Sequence, residues 1–283
     1  KTIMFCSVVI RRTLRRPSQR YYSLAIARRL PNSFINALSS GNETVNLNIA
    51  QAQHQTYVDT LRTILPVLEL PALEECPDCC FVEDTAIAIG TTAVMTNPGH
   101  DDRRGEVESI RKVLENLGME IIDMRRQDAY AMCDGGDVLQ VGDYLFVGLS
   151  LRTNEAAARL LQDAFPDKTV ITVPVPKQVL HFKSAVTNIG HSGLLVPTGE
   201  IGDGLLDSTP FNDLQVYRLP MRLCNVVCCN GVVLAQPRSD DNSRKVLEQA
   251  AHEQTMEEVR YVDTSELAKK DAALTCCSLL LDV

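Results

Sequence analysis

The sequence contains no tryptophan, and aromatic residues make up only 5% of its 283 positions. So few aromatic side chains weigh against a surface that stacks the bases of nucleic acid. No apolar run approaches the roughly 18 residues that a membrane-spanning helix requires, so the sequence predicts no such helix and no membrane partner. With 45% hydrophobic and 23% charged residues, the composition is globular and excludes collagen, a coiled coil and a wholly disordered chain.

Acidic residues are missing from the first 42 positions, which carry eight basic residues. Residues 43–283 instead contain 20 basic and 36 acidic residues, a net charge of −16. An acidic body repels phosphate backbones, so we expect no nucleic-acid partner. Its field favours small cationic ligands.

The N-terminal segment has the composition of a mitochondrial transit peptide. Residues 4–22 combine arginine, serine and apolar residues without one acid. The triplet Arg20-Tyr21-Tyr22, just before Ser23, looks like a processing site. We therefore expect residues 1–22 to be a basic extension and residues 23–283 to be a single domain in a mitochondrial protein. The alternative is a disordered tail on a cytoplasmic protein.

Ten cysteines are present, but their pattern does not predict a disulfide framework. Several are adjacent in sequence, and neighbouring cysteines rarely bridge each other. Cys76 and Cys79 have the spacing of half a zinc site, yet no second Cys or His pair with matching spacing follows. We expect most of these thiols to be small buried side chains on strands.

From residue 80 onward the chain repeats a pattern of strand, turn, strand, helix and strand. The first copy predicts a strand over residues 81–89 and a helix over residues 103–117, where apolar residues follow the helical period. The second copy predicts a hairpin around Gly142-Asp143 and a helix over residues 154–165. Copies open near residues 83, 136, 183 and 224, and residues 272–283 are expected to pair back into a unit. The repeat predicts a closed α/β array of about five units.

Candidate chemical groups recur where these units begin. They are Asp78, Glu83 and Asp84 in the first copy, Asp134 and Asp137 in the second, His181 in the third, and Cys276 and Cys277 before the last strand. A closed array would bring them together. Taken singly, each has a structural explanation, since an Asp-Gly-Gly-Asp run is usually a turn and a lone histidine is usually a structural residue.

Six short motifs, taken together, resemble the sequences of one protein family. They are Phe81-Val82-Glu83-Asp84, Asp134-Gly135-Gly136-Asp137-Val138-Leu139, Phe146-Val147-Gly148-Leu149-Ser150, Arg152-Thr153-Asn154, Leu180-His181 and Leu274-Thr275-Cys276-Cys277-Ser278. From about Ser23 to the C-terminus the chain resembles dimethylarginine dimethylaminohydrolase. The resemblance implies a pentein propeller, an α/β fold of five pseudo-symmetric ββαβ-type units around a central channel.

The resemblance also implies a reaction, the hydrolysis of Nω,Nω-dimethylarginine and Nω-monomethylarginine to citrulline and a methylamine through a covalent cysteine adduct. Cys276 would be the nucleophile, and His181 the general acid and then the base, with Asp134 orienting its ring. Side chains alternate across a strand, so we expect Cys276 and Cys277 at the strand entry to face opposite ways.

Substrate contacts carry over in the same way. Eight residues would bind substrate: Glu83, Asp84 and Asp271 at the guanidinium, Asp78 at the α-ammonium, Arg103 and Arg152 at the carboxylate, and Leu38 and Lys270 through backbone carbonyls. At Lys270 the vertebrate pattern has an apolar residue. A backbone contact survives this substitution, but we expect the added cation near the site to weaken the binding of an arginine derivative.

The resemblance implies no catalytic cofactor and no required metal, although zinc could bind Cys276 and His181 and inhibit. Methylated arginines would be the ligands, and the protein would be a monomer or a homodimer. An arginine deiminase of the same fold, a catalytically silent regulatory paralogue and a non-enzymatic scaffold are the alternatives. The presence of both His181 and Cys276 disfavours the silent paralogue.

Overall fold

The structure is a computed structural model that describes residues 21–211, 214–237 and 240–283. Its described residues are organised around five small sheets. Among the described residues, fifteen strands form five three-stranded sheets. In each sheet the central strand pairs antiparallel with one neighbour and parallel with the other. That is the ββαβ arrangement, so the predicted pentein fold of five units is confirmed.

The elements have the following bounds. The strands are Leu24–Arg28 (β1), Val67–Leu70 (β2), Ala86–Ile89 (β3), Thr92–Met95 (β4), Glu120–Asp123 (β5), Val138–Val141 (β6), Tyr144–Leu149 (β7), Thr169–Pro174 (β8), Thr187–Ile189 (β9), Gly193–Pro197 (β10), Gln215–Leu219 (β11), Val227–Cys229 (β12), Val232–Ala235 (β13), Glu258–Tyr261 (β14) and Leu279–Leu281 (β15). The α-helices are Leu47–Arg62 (α1), Val107–Asn116 (α2), Met124–Gln127 (α3), Glu155–Ala164 (α4), Phe182–Ala185 (α5), Glu200–Ser208 (α6), Asp241–Glu253 (α7) and Ser265–Ala268 (α8).

The second copy shows how the local sequence builds a unit. β6 and β7 pair with Val138 opposite Val147, and Gly142 makes the turn with a φ of 57°. The left-handed conformation suits glycine, which has no Cβ. Asn154 then caps α4 by accepting a hydrogen bond from the Ala157 amide. The helix returns the chain so that β8 lies parallel to β7.

The two ends of the described chain close the ring. β15 pairs antiparallel with β1, and Leu281 lies opposite Leu24. The expectation that residues 272–283 pair back into a unit is therefore confirmed, and the structure identifies that unit as the first. Buried apolar clusters lie between units; one contains Ile87 and Val94 from one sheet and Leu145 and Val147 from the next. No helix in the described ranges is long and apolar enough to cross a bilayer.

Several predicted strands begin later than expected. The strand predicted over residues 81–89 starts at Ala86, because Val82–Thr85 form a 3-10 turn. The third copy likewise begins with α5, and its strand starts only at Thr187. The helix predicted over residues 103–117 divides into a 3-10 segment, Asp101–Glu106, and α2. Residues 1–20 of the predicted transit segment lie outside the described residues, so mitochondrial targeting stays a prediction.

Candidate active site

A cavity of about 630 Å³ lies where the unit openings meet. Nine of the eleven predicted site residues line it: Leu38, Asp78, Asp84, Arg103, Arg152, His181, Lys270, Asp271 and Cys276. Asp134 lies directly behind His181, and Glu83 faces a different cavity. The ring therefore gathers groups from distant parts of the sequence, as the repeat pattern predicted.

Cys276 lies in a 3-10 turn, Thr275–Cys277, and not on a strand. The argument from strand alternation is therefore wrong, since β15 begins only at Leu279. The two thiols still differ: Cys276 lines the cavity, whereas Cys277 is fully buried beside the Ala273 carbonyl. Burial, reinforced by the charges of Glu83 and Asp84, raises the pKa of the Cys276 thiol well above its usual value.

His181 and Asp134 form a buried pair. The Nε2 atom of His181 lies 2.9 Å from Oδ2 of Asp134. Asp134 is fully buried, and its Oδ1 accepts a hydrogen bond of 2.9 Å from the Gly99 amide. These contacts fix both the carboxylate and the imidazole that it faces.

A second carboxylate faces the other ring nitrogen, because Asp84 Oδ1 lies 4.0 Å from His181 Nδ1. Burial alone would lower the pKa of His181, but Asp84 and Asp134 outweigh burial and raise that pKa to about 9. Burial would raise the pKa of Asp84, yet the charges of His181 and Arg103 lower it to about 2. At neutral pH an imidazolium therefore lies between two carboxylates.

Arg103 lines the cavity, but its guanidinium is bound by neighbouring residues of the protein. Its Nη1 lies 2.5 Å from Asp84 Oδ2, and its Nη2 lies 2.6 Å from Glu106 Oε2. Nε also bonds Glu106, and Nη2 donates to the Phe81 carbonyl. These contacts leave little of the guanidinium for a ligand carboxylate, which differs from the predicted role.

Arg152 is the more available of the two predicted carboxylate ligands. It lines the cavity, and its Nη1 lies 3.4 Å from Asp134 Oδ2, a long contact. Its amide is held by the Ser150 hydroxyl at 2.9 Å. The structure therefore favours Arg152 over Arg103 for binding an anionic group.

Glu83 lies behind the cavity instead of inside it. Its carboxylate forms a 2.6 Å ion pair with Lys183 and accepts a hydrogen bond from the Thr275 hydroxyl. All three residues line a separate rear cavity of about 140 Å³. Lys183 thus pairs with Glu83 in this cavity, and the contact of Glu83 with a guanidinium stays a prediction.

Asp271 is also occupied. It has a φ of 56°, and its carboxylate accepts hydrogen bonds from the amide and hydroxyl of Ser40 at 2.5 and 2.8 Å. Asp84 is also bound, by Arg103 and by the Gly136 amide, but it is the predicted guanidinium acid that lies beside His181. Asp78 accepts a hydrogen bond from the Leu38 amide at 3.1 Å.

One carboxylate that sequence reasoning left without a role supports the pair. Asp137 is fully buried and accepts hydrogen bonds from Ser150, Thr153 and the Phe182 amide. Phe182 follows His181, and Thr153 also accepts from the Asp134 amide. Asp137 thus fixes the backbone on both sides of the His181–Asp134 contact. The only sequence signal was its place in the Asp-Gly-Gly-Asp run.

The donor set for a metal differs from the predicted one. In the described ranges, the group that could hold an ion is Asp84, Asp134 and His181, whose ligand atoms lie within 4.8 Å of one another. Cys276 does not belong to that group, so zinc at Cys276 and His181 stays a prediction. Arg103 and His181 already neutralise these carboxylates.

A family model described as eukaryotic N,N dimethylarginine dimethylhydrolase matches residues 25–268. The N(G),N(G)-dimethylarginine dimethylaminohydrolase of Streptomyces coelicolor is 32% identical over 244 residues, which is 84% of this chain and 88% of the relative. The enzyme of that name from Pseudomonas aeruginosa is 29% identical over 265 residues, 90% of this chain and 97% of the relative.

Solved structures agree with these relatives. A cysteine-to-serine mutant of the Pseudomonas aeruginosa enzyme in complex with citrulline has a TM-score of 0.80 and 27% identity, and covers 92% of this chain and 100% of its own. The N-terminal domain of ArgZ, a cyanobacterial arginine dihydrolase, has a TM-score of 0.76 at 16% identity. The second likeness shows the fold alone.

Proposed function

The chain belongs to the family of eukaryotic N,N dimethylarginine dimethylhydrolases, and from this premise we propose that it converts Nω,Nω-dimethylarginine and Nω-monomethylarginine to citrulline. It is a hydrolase that acts on a guanidino C–N bond. One observation carries the proposal: the Cys276 thiol, the His181 imidazolium and the Asp84 carboxylate surround one cavity.

Charge would orient the substrate in this cavity. Asp84 is ionised at neutral pH because its pKa is lowered to about 2, so it is suited to hold the guanidinium beside His181. Arg152 is suited to the α-carboxylate, since guanidinium–carboxylate pairing fixes geometry as well as charge. Asp78 would receive the α-ammonium with the carboxylate oxygen that Leu38 does not use. The backbone carbonyls of Leu38 and Lys270 would complete the contacts.

The first half-reaction forms a C–S bond. Because the pKa of Cys276 is raised in the free protein, the thiolate forms when the cationic guanidinium binds and the thiol proton is released. The thiolate attacks the guanidinium carbon to give a tetrahedral adduct. His181 donates a proton to the methylated nitrogen, the C–N bond breaks and the amine leaves.

The second half-reaction restores the enzyme. His181, now neutral, takes a proton from water, and the resulting hydroxide attacks the carbon of the covalent thiouronium. The C–S bond then breaks while the hydroxyl proton passes to the departing sulfur, so that Cys276 regains its thiol and citrulline forms. Asp134 keeps the imidazole oriented in both halves, the role of the third member of a catalytic triad. The proton that the thiol releases in the first half is taken up in water by the departed amine, so the scheme balances with water as co-substrate and the proposal needs no cofactor. Zinc would act only as an inhibitor.

Citrulline formation by the purified protein tests the proposal directly. We expect turnover of dimethylarginine and monomethylarginine and far slower turnover of arginine. Cys276→Ser should abolish citrulline formation because a hydroxyl ionises much less readily than a thiol. Cys277→Ser, the matched control, should retain turnover and mainly lose stability, by roughly 1–3 kcal/mol if its buried hydroxyl finds no partner.

Two results would overturn the proposal. Equal or faster turnover of arginine would identify a deiminase, the principal alternative. Activity in Cys276→Ser together with a dead Cys277→Ser would place the nucleophile one residue further along the turn. A chloroacetamidine, which mimics the guanidinium, should label Cys276 alone, and mass spectrometry of the labelled peptide separates the two thiols.

A further inference from the structure

One wall of the catalytic cavity is formed by a loop without helix or strand. Residues 37–41, here called the cover segment, follow the 3-10 turn Asn32–Asn36 and precede α1. Leu38, Ser39 and Ser40 of this segment line the cavity. No sheet ladder holds the segment. Its first residue is held by a hydrogen bond of 2.9 Å from the Ala37 amide to the Phe34 carbonyl, and side-chain contacts hold the rest.

The peptide group between Ala37 and Leu38 is held at both ends. Asp78 Oδ2 accepts a hydrogen bond of 3.1 Å from the Leu38 amide, and Lys270 Nζ donates one of 3.0 Å to the Ala37 carbonyl. This N–H and this C=O belong to one planar group and point in opposite directions. The carboxylate lies at the positive end of the peptide dipole and the ammonium at the negative end, so both charges favour the same orientation.

Further contacts join the cover segment to the loop that carries Lys270. The Ser39 hydroxyl donates to the Lys269 carbonyl at 2.9 Å, and Asp271 accepts two hydrogen bonds from Ser40. The cover segment and residues 269–271 therefore form one polar unit at the cavity. Both backbone carbonyls assigned to the substrate, those of Leu38 and Lys270, belong to it.

We propose that Lys270 is a positioning residue, which fixes the Ala37–Leu38 peptide group and thereby aims the Leu38 carbonyl at the bound methylarginine. This inference rests on the proposed function. An apolar side chain at position 270 would keep the backbone carbonyl but remove the donor, leaving the peptide group held by Asp78 alone. The added cation, which was expected from its charge to weaken substrate binding, would instead strengthen it through the hydrogen bond to the cover segment.

Amide hydrogen exchange of the cover segment tests the contact without any turnover. In Lys270→Met, the amides of Leu38 and Ser40 should exchange about 5- to 20-fold faster, as expected when one charge-assisted hydrogen bond is lost at a partly exposed site. Lys270→Arg keeps a donor and should restore most of the protection. Lys177→Met is the matched control, because Lys177 lines the same cavity and, within the described residues, makes no hydrogen bond to the cover segment.

Kinetics then tests the effect on substrate. Lys270→Met should raise KM for dimethylarginine about 5- to 20-fold and change kcat by less than about 2-fold, because a binding interaction is lost and not a transition-state one. Lys270→Arg should bring KM back to within about 3-fold of the wild type. Lys177→Met should not reproduce the faster exchange.

Unchanged exchange of Leu38 in Lys270→Met would overturn the proposal, as would equally fast exchange in Lys177→Met. Faster exchange with an unchanged KM would show that Lys270 orders the segment without positioning a substrate contact, which also overturns it. A wild-type protein that hydrolyses arginine but not methylarginines would contradict the proposed function while leaving the exchange result intact, so the two failures are distinguishable.

Discussion

His181 is buried yet positively charged, because Asp134 and Asp84 face its two ring nitrogens and stabilise the imidazolium. The attraction between His181 and Asp84 also lowers the pKa of Asp84. Cys276, by contrast, keeps its proton in the free protein. In the proposed mechanism, the acid that protonates the leaving amine would therefore be charged before substrate binds, whereas the nucleophile would ionise only when the cationic substrate is present.

The raised pKa of His181 predicts a loss of stability at alkaline pH. The folded protein holds this proton up to about pH 9, whereas an unfolded histidine releases it near pH 6.5. The stabilisation is therefore fully present below about pH 6.5 and is lost as pH rises through about 9. We expect the unfolding free energy, measured with urea, to fall by roughly 1–3 kcal/mol more in wild type than in His181→Gln between pH 6 and pH 9.5.

The variant is needed as a reference because buried cysteines also destabilise the folded protein at high pH. Burial raises the pKa of Cys277 and Cys80, so unfolding releases their protons in the same range. These thiols are present in both proteins, and their contribution cancels in the comparison. Equal losses in wild type and His181→Gln would show that the imidazole is not charged in the folded protein.

Among the elements, hairpins could be predicted from sequence and the turns at the cavity could not. β6 and β7 follow from alternation and Gly142, which are local signals. The turn Val82–Thr85 depends instead on distant partners, since Asp84 is held by Arg103 and by the Gly136 amide. The motifs shared with the family likewise identified Cys276 and His181 as candidate catalytic residues. Two other contacts could not be predicted from local sequence, because they join residues far apart in the chain. Lys183 forms an ion pair with Glu83, and Ser40 donates hydrogen bonds to Asp271.

The turn Gly135–Asp137 is packed so closely against the site that one methyl group should disturb it. A Cβ at Gly136 would lie 2.7 Å from His181 Nδ1 and 2.9 Å from Asp84 Oδ1. Gly136 does not have a positive φ, so the effect would come from contact and not from backbone strain. We expect Gly136→Ala to lower kcat/KM by about 100-fold, the order expected for a displaced catalytic group, while the protein still folds.

A second glycine supplies the control. Gly204 lies in α6 with open space around its Cβ position. Gly204→Ala should leave kcat/KM unchanged and raise the unfolding free energy by about 0.5–1 kcal/mol through helix propensity. Wild-type activity in Gly136→Ala would mean that His181 can move away from this turn without losing its function.

The whole molecule is a ring whose first and last strands are hydrogen-bonded neighbours. β1 lies between β15 and β2, and Ile26 and Leu281 are completely buried. The chain enters β1 from Tyr22, which exchanges two hydrogen bonds with the side chain of Asn230. A chain that begins at Ser23 would lose these two contacts and keep the entire strand.

A protein that begins at Ser23 should therefore fold and retain wild-type turnover, with a stability loss of roughly 1–2 kcal/mol from the missing hydrogen bonds. If the transit interpretation is right, N-terminal sequencing of the native protein should start near Ser23. A deletion of residues 279–283 is the contrasting variant, because it removes β15 and opens the ring, and it should abolish cooperative unfolding. A native protein that keeps residues 11–16 would contradict mitochondrial processing.

The Glu83–Lys183 pair lies at the rear cavity, whereas His181 and Cys276 line the front one. Glu83 and Thr275 line the rear one, while their immediate neighbours Asp84 and Cys276 line the front one. The two cavities share no lining residue among those described. In the proposed mechanism, the amine, the hydrolytic water and citrulline would all occupy the front cavity, where Cys276 and His181 lie. Each would therefore have to leave the position beside Cys276 before the next could take it.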